Sequence, residues 1–128
     1  MRGPELIQLE LSRIVGPAAA LDAVLSSADI RISSDEAFSF SDPNDLRAEF
    51  PVQAIVEHDT GWSGAWFAEH TLTVRLASLC EWPLPNRPGV GQGLVAGIPA
   101  KVWLPPDTTE ALLMVATAHA HEMEERLA

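Results

Sequence analysis

One stretch limits the folds open to this chain more than any other. From Phe50 to Leu79 it reads FPVQAIVEHDTGWSGAWFAEHTLTVRLASL. Val52, Ala54 and Val56 alternate with Gln53, Ile55 and Glu57. Leu72, Val74 and Leu76 alternate with Thr73, Arg75 and Ala77. A period of two is what a half-buried strand requires. Asp59-Thr60-Gly61 and Ser63-Gly64 bring turn chemistry between the runs. The expectation is a long antiparallel hairpin over about 50–79, inside an α+β fold. Its sheet would be small and antiparallel, packed by N-terminal helices and by a C-terminal helix over about 107–127.

The flanking segments are read by the same rules. Residues 4–15, PELIQLELSRIV, fit two periods. Ile7, Leu11, Ile14 and Val15 share a helical face, whereas Ile7, Leu9 and Leu11 alternate as a strand would. Pro4 and Glu5 at a first turn tip the reading to helix. Pro17 opens a second helix over about 17–27, with Leu21, Val24 and Leu25 inward. Ile30-Arg31-Ile32 and Phe38-Ser39-Phe40 flank a Ser-Ser-Asp-Glu turn, a short hairpin. Ser41 to Asp45, SDPND, reads as a turn. Trp82 to Pro99 holds four Pro and four Gly and reads mostly as a long surface loop. Ala100–Leu104 is a short strand stopped by Pro105-Pro106. Asp107 with Glu110 makes a capping-box pattern ahead of Leu112, Leu113, Ala116, Ala120, Met123 and Leu127.

Length and composition narrow the class. With 128 residues the prior is a single domain spanning 1–128. No run approaches the roughly 18 apolar residues of a membrane helix, so no membrane partner is expected. The opening MRGPELIQLELS sets acids where a signal peptide needs an apolar core. Cys80 is the lone cysteine, which excludes an internal disulfide and suits a reducing compartment. Together these point to a cytoplasmic protein, or a virion component if phage-encoded.

Charge is the strongest compositional signal. Eighteen acids against eight Lys and Arg give −10 and a pI near 4.6. Phosphate backbones call for basic patches, so direct nucleic-acid binding is not expected. Two consequences remain open: acidity that keeps a small protein soluble, and acidity that meets a basic protein partner.

Several residues carry chemistry in principle. Asp59-Thr60-Gly61 resembles the active-site triplet of retropepsin-like aspartic proteases, in which two subunits each contribute one Asp. The resemblance implies paired carboxylates that activate water, with Val90–Val95 as a flap. Glu57-His58 before the Asp and Trp62 after the Gly depart from that pattern, and a strand-to-strand turn wants Asp and Gly in any case. His119 and His121 stand two apart on a helix and point away from each other, so they cannot chelate one ion. His58, His70 and an acid offer a composite zinc site that no spacing demands. Cys80 beside Glu81 reads as a packed thiol. Gly91-Gln92-Gly93-Leu94-Val95-Ala96 has the spacing G-x-G-x-x-A, but no strand precedes it and no helix follows, as a dinucleotide site requires. No motif calls for a cofactor.

Trp62, Trp66, Phe67, Trp82 and Trp103 remain. Tryptophan is enriched at binding hot spots. Trp62 and Trp66 fall at the expected hairpin tip, beside the acids Glu57, Asp59 and Glu69. These five are the candidate binding residues. The functional expectation is a non-catalytic protein-interaction or assembly domain, working through a protein partner or self-association. In its order of helix, hairpin (FPVQAIVEHD and EHTLTVRLASL), strand and helix, the chain is similar to siphophage tail-terminator proteins. That layout implies a small acidic ring subunit. An acidic inhibitor, such as an immunity or anti-defence protein, is the alternative, and a small hydrolase using Asp59 or a histidine metal site is a third.

Overall fold

The computed structural model describes residues 4–50 and 54–128. Ile7–Gln8 (β1) and Leu11–Val15 (β2) are strands, which corrects the helix expected over 4–15. Leu11 and Ile14 show why. Both are buried, yet their three-residue separation puts them on opposite faces of a sheet. A helix would have stacked them on one face and left the other polar.

The fold is α+β, with two antiparallel sheets. The chain forms two compact units: residues 10–60, and residues up to Leu9 together with Gly61–Ala128.

In the first unit, β3 (Ile30–Ser33), β4 (Glu36–Ser39), β2 and β5 (Ile55–Asp59) lie side by side in that order. The β3–β4 hairpin is where the sequence predicts it. Helix α1 (Ala18–Val24) follows Pro17, with Leu21 fully buried. The SDPND segment does more than turn. Asp42 accepts the Asn44 N–H at 2.8 Å and Pro43 occupies the first helical position of α2 (Pro43–Glu49). Ile14, Leu21, Ala37, Leu46, Phe50 and Val56 form this unit's core. The Arg47 guanidinium donates twice to the Val56 carbonyl, at 3.1 and 2.6 Å, and so covers part of the outer edge of β5. Val52 and Gln53, which began the expected hairpin, lie outside the described residues.

In the second unit, the five-stranded sheet runs β1, β6 (Trp62–Ala68), β9 (Glu110–Ala116), β8 (Ile98–Leu104) and β7 (Gly89–Val95). Helices α3 (Glu69–Leu76) and α4 (Ala120–Arg126) complete it. Leu72, Leu76, Met123 and Leu127 pack on Ala111, Leu113, Val115, Ala100, Val102 and Leu104, all on one face.

Three expectations are corrected here. The hairpin over 50–79 is not formed: β5 pairs with β2, β6 pairs with β9, and Thr60-Gly61 is the crossing from one sheet to the other. The second run of that hairpin is helix α3. Leu72 and Leu76 are buried, one turn apart, while Val74 between them is 63% exposed. Strand alternation would have buried all three. The helix expected over 107–127 starts only at Ala120. Residues 111–115 are all buried, on both faces of an inner strand, which a one-faced surface helix cannot achieve. Most of the expected loop 82–99 is β7 and its turn, whereas β8 lies where a strand was expected.

The β7–β8 turn holds a local strain. Ala96 and Gly97 both have positive φ, 51° and 83°, the two-residue geometry favoured by Asn-Gly. Ala96 is the one described non-glycine residue in that region. Ala96→Asn is expected to stabilise the chain by about 0.5–1 kcal/mol, since Asn tolerates that conformation better than Ala. Thermal melts of the two proteins check this, and a lower melting temperature for Ala96→Asn contradicts it.

Candidate protein-interaction face

Register assigns each side chain of the five-stranded sheet to a face. Trp62 pairs with Ala116, Gly64 with Met114 and Trp66 with Leu112. Leu112 pairs in turn with Trp103, and Met114 with Lys101. Trp62, Trp66, Trp103, Lys101, Leu112 and Met114 therefore share the face opposite α3 and α4. Between the two tryptophans, Gly64 lets the Leu112 and Leu9 side chains pack against the backbone, because a Cβ there would sit 3.1 and 3.2 Å from them and 2.8 Å from the Leu113 carbonyl oxygen.

The aromatic side chains support one another. Trp66 and Trp103 lie with ring centroids 5.8 Å apart, tilted by 55°, a favourable aromatic geometry. They flank Leu112 in one row across three strands. Trp103 and Leu112 are buried, while Trp66 keeps 45% of its surface exposed. The Lys101 ammonium lies 4.9 Å from the Trp62 ring centre and donates to the Gln92 side chain. That cation is engaged within the unit. Glu110, facing Ala68 across β6 and β9, puts a carboxylate on the same face, next along the ladder from Trp66.

Of the five residues singled out in the sequence, Trp62 and Trp66 are thus brought to one face. Glu69 begins α3 and meets the Arg87 guanidinium at 3.3 Å. Glu57 and Asp59 belong to the other unit, on β5. Trp103, Lys101 and Glu110 were missed as companions of Trp66. Their strands are distant in sequence, and only the β6–β9–β8 register brings them together.

The other candidate chemistry resolves into local roles. The G-x-G-x-x-A spacing forms a platform for Trp82. A Cβ on Gly93 would fall 2.5 Å from the indole nitrogen, and one on Gly91 would fall 2.8 Å from the ring. The indole N–H donates to the Leu94 carbonyl at 2.9 Å. Val90–Val95, the flap of the protease resemblance, is paired along its length with β8. The Cys80 thiol donates to the Trp82 carbonyl at 3.0 Å. His121 meets Glu124 and Glu125, Arg126 meets Glu122, and Glu124 also accepts the Leu6 N–H at 2.7 Å. The acids at the end of α4 are therefore locally partnered. His70 lies on α3 and His58 on β5, in different units. Among the described residues, no three His, Cys, Asp or Glu side chains gather as metal ligands.

The unit of residues 10–60 has an open cleft of about 510 Å³, lined in part by Glu10, Phe40, Asp42, Arg47 and His58. His58 Nε2 and Glu10 Oε2 are 2.6 Å apart at its mouth, both side chains more than half exposed. The cleft's other groups are engaged. Ser12 donates to the Ser41 carbonyl, Asp42 caps α2, and Arg47 holds Val56 and Asn44. What faces the cleft is a solvated histidine–carboxylate contact, with no hydroxyl or thiol bonded to the histidine among the described residues.

No known protein family matches the chain, and no curated protein matches it. No helix of the described residues is long and apolar enough to cross a membrane. The layout on which the likeness to tail-terminator proteins was drawn is replaced by two sheets, beginning with strands and lacking the central hairpin.

Proposed function

We propose that this chain is a non-catalytic protein-interaction domain that meets a basic, partly apolar protein surface through Trp62 and Trp66. The observation that carries the reading is Trp66, half exposed on a sheet face with no helix of its unit over it. Trp103 braces it from the side. A rigid aromatic side chain held by a second ring loses little conformational freedom on binding, which suits a hot spot. Glu110 beside it and the net charge of −10 favour a cationic partner.

The test uses defined probes. Peptides that combine Arg or Lys with aromatic and aliphatic residues are titrated against the purified chain and followed by tryptophan fluorescence. Binding is expected to weaken as the screening length falls from about 30 Å at 0.01 M salt to about 8 Å at 0.15 M. Trp66→Ala is expected to weaken it about thirtyfold, the effect of losing one hot-spot side chain. Circular dichroism confirms that the variant stays folded. A folded Trp66→Ala protein that binds like the parent, or binding indifferent to salt, contradicts the proposal.

A further inference from the structure

Strand β7 is an edge strand of seven residues, GVGQGLV, with no charge and no proline in it. Edge strands are ordinarily protected by charges, prolines, bulges or a covering segment, because their open N–H and C=O groups template further pairing. The other edge of this sheet, β1, is only two residues long. Gly91 and Gly93 are explained by Trp82 and Gly89 by the Asn86 carbonyl, but the uncharged outer edge of β7 is not.

The turn decides which backbone groups face outward. Val95 and Ile98 flank the two-residue turn Ala96-Gly97 and so form a hydrogen-bonded pair. Alternation then directs the N–H and C=O groups of Gly93, Gly91 and Gly89 toward β8. Those of Leu94, Gln92 and Val90 point away from the sheet. The indole N–H of Trp82 reaching the Leu94 carbonyl agrees with this assignment. Among the described residues, no other backbone partner meets this edge. The side chains of Val90, Gln92 and Leu94 share the face of Trp103, Lys101 and Pro99, and Leu94 is 56% exposed.

We infer that β7 pairs antiparallel with β7 of a second copy of this chain, about a twofold axis at Gln92. The edge is complementary to itself in that register. Val90 faces Leu94 of the other copy, Gln92 faces Gln92, and each facing pair can exchange two N–H···O bonds. The Leu94 carbonyl keeps a second lone pair beside the one that Trp82 uses. Apolar side chains meet at both ends of the pairing and an amide pair meets at its centre, where side chains hydrogen-bond across strands. A second copy fits better than a basic strand because β7 offers a cation nothing to pair with. The seven residues carry no charge. The result is one sheet continuous across two copies. This inference stands apart from the proposed contact at Trp66.

Sedimentation equilibrium of the purified chain tests it, together with hydrogen exchange at low and high protein concentration. The expected mass is twice 13.8 kDa at the higher concentrations. The amides of Val90, Gln92 and Leu94 should be protected only there. Each copy carries −10, so dimerisation is expected to strengthen with salt, opposite in sign to binding of a basic peptide. Gln92→Pro removes an outward N–H that no bond among the described residues uses, and proline is tolerated at such edge positions. It is expected to weaken the dimer at least about thirtyfold, through a bond lost in each copy and a ring set into the interface. Leu94→Lys provides a second disruption by charge, while Trp66→Ala leaves the dimer intact. A chain that stays monomeric throughout, or a dimer that survives both edge variants, overturns the inference. A dimer lost with Trp66→Ala instead moves self-association to the tryptophan face and equally overturns it.

Discussion

Gly93→Val is expected to lower the stability of the chain by about 2–3 kcal/mol, the upper part of the range for overpacking in a well-filled site. For a chain of this size that is a fall of roughly 10 °C in melting temperature. Valine ordinarily suits a strand better than glycine, so propensity alone predicts the opposite sign. The difference is Trp82, whose indole atoms lie 2.5 to 2.8 Å from where the new Cβ would be. The ring cannot simply swing aside, because its N–H is bonded to the Leu94 carbonyl at 2.9 Å and would lose that partner. A double-mutant cycle isolates the cause. In a Trp82→Ala background the valine should be nearly neutral or favourable, whereas equal losses in both backgrounds would show that the indole is not the obstacle.

Leu113→Ala is expected to remove about 3–4 kcal/mol. Leu113 is fully buried on β9, the middle strand of the five, among residues that α3 and α4 press onto the sheet. Both neighbouring strands and both helices would have to shift to close the gap, so most of the cavity should persist. Val74→Ala is the matched comparison. Alternation along 72–76 puts Val74 on a buried face, but α3 leaves it 63% exposed, and the substitution should stay within about 0.5 kcal/mol. Urea unfolding of the two variants decides the matter. A large loss at Val74 together with a small one at Leu113 would restore the strand and helix readings of these two segments.

Both cases mark where local pattern and tertiary structure part. Leu72, Val74 and Leu76 satisfy a period of two, but Leu72 and Leu76 equally satisfy one helical turn. Nothing within five residues chooses between them. The choice falls to the sheet, which offers a surface to one stripe and no partner to Val74. Residues 111–115 posed the reverse problem. An unbroken apolar run fits a buried strand or a buried helix, and only β6 and β8 on either side of it, from elsewhere in the chain, make it a strand.

What the sequence determined by itself was whatever short-range physics decides. The Ile30–Ser39 hairpin follows from a turn bounded by alternating residues, and α1 follows from Pro17 and the spacing of Leu21 and Val24. The α+β class followed from the mixture of periods. The choice of Trp62 and Trp66 rested on residue type, and their four-residue spacing puts them on one face of β6. The tertiary structure alone decided strand partners. It sent β5 and β6 into different sheets across Thr60-Gly61, β5 to pair with β2 and β6 to pair with β9. It also set Trp103 beside Trp66 and Trp82 onto Gly91 and Gly93. Those are contacts between segments that no local period relates, settled by which pairing buries the most apolar surface while leaving the fewest backbone groups unbonded.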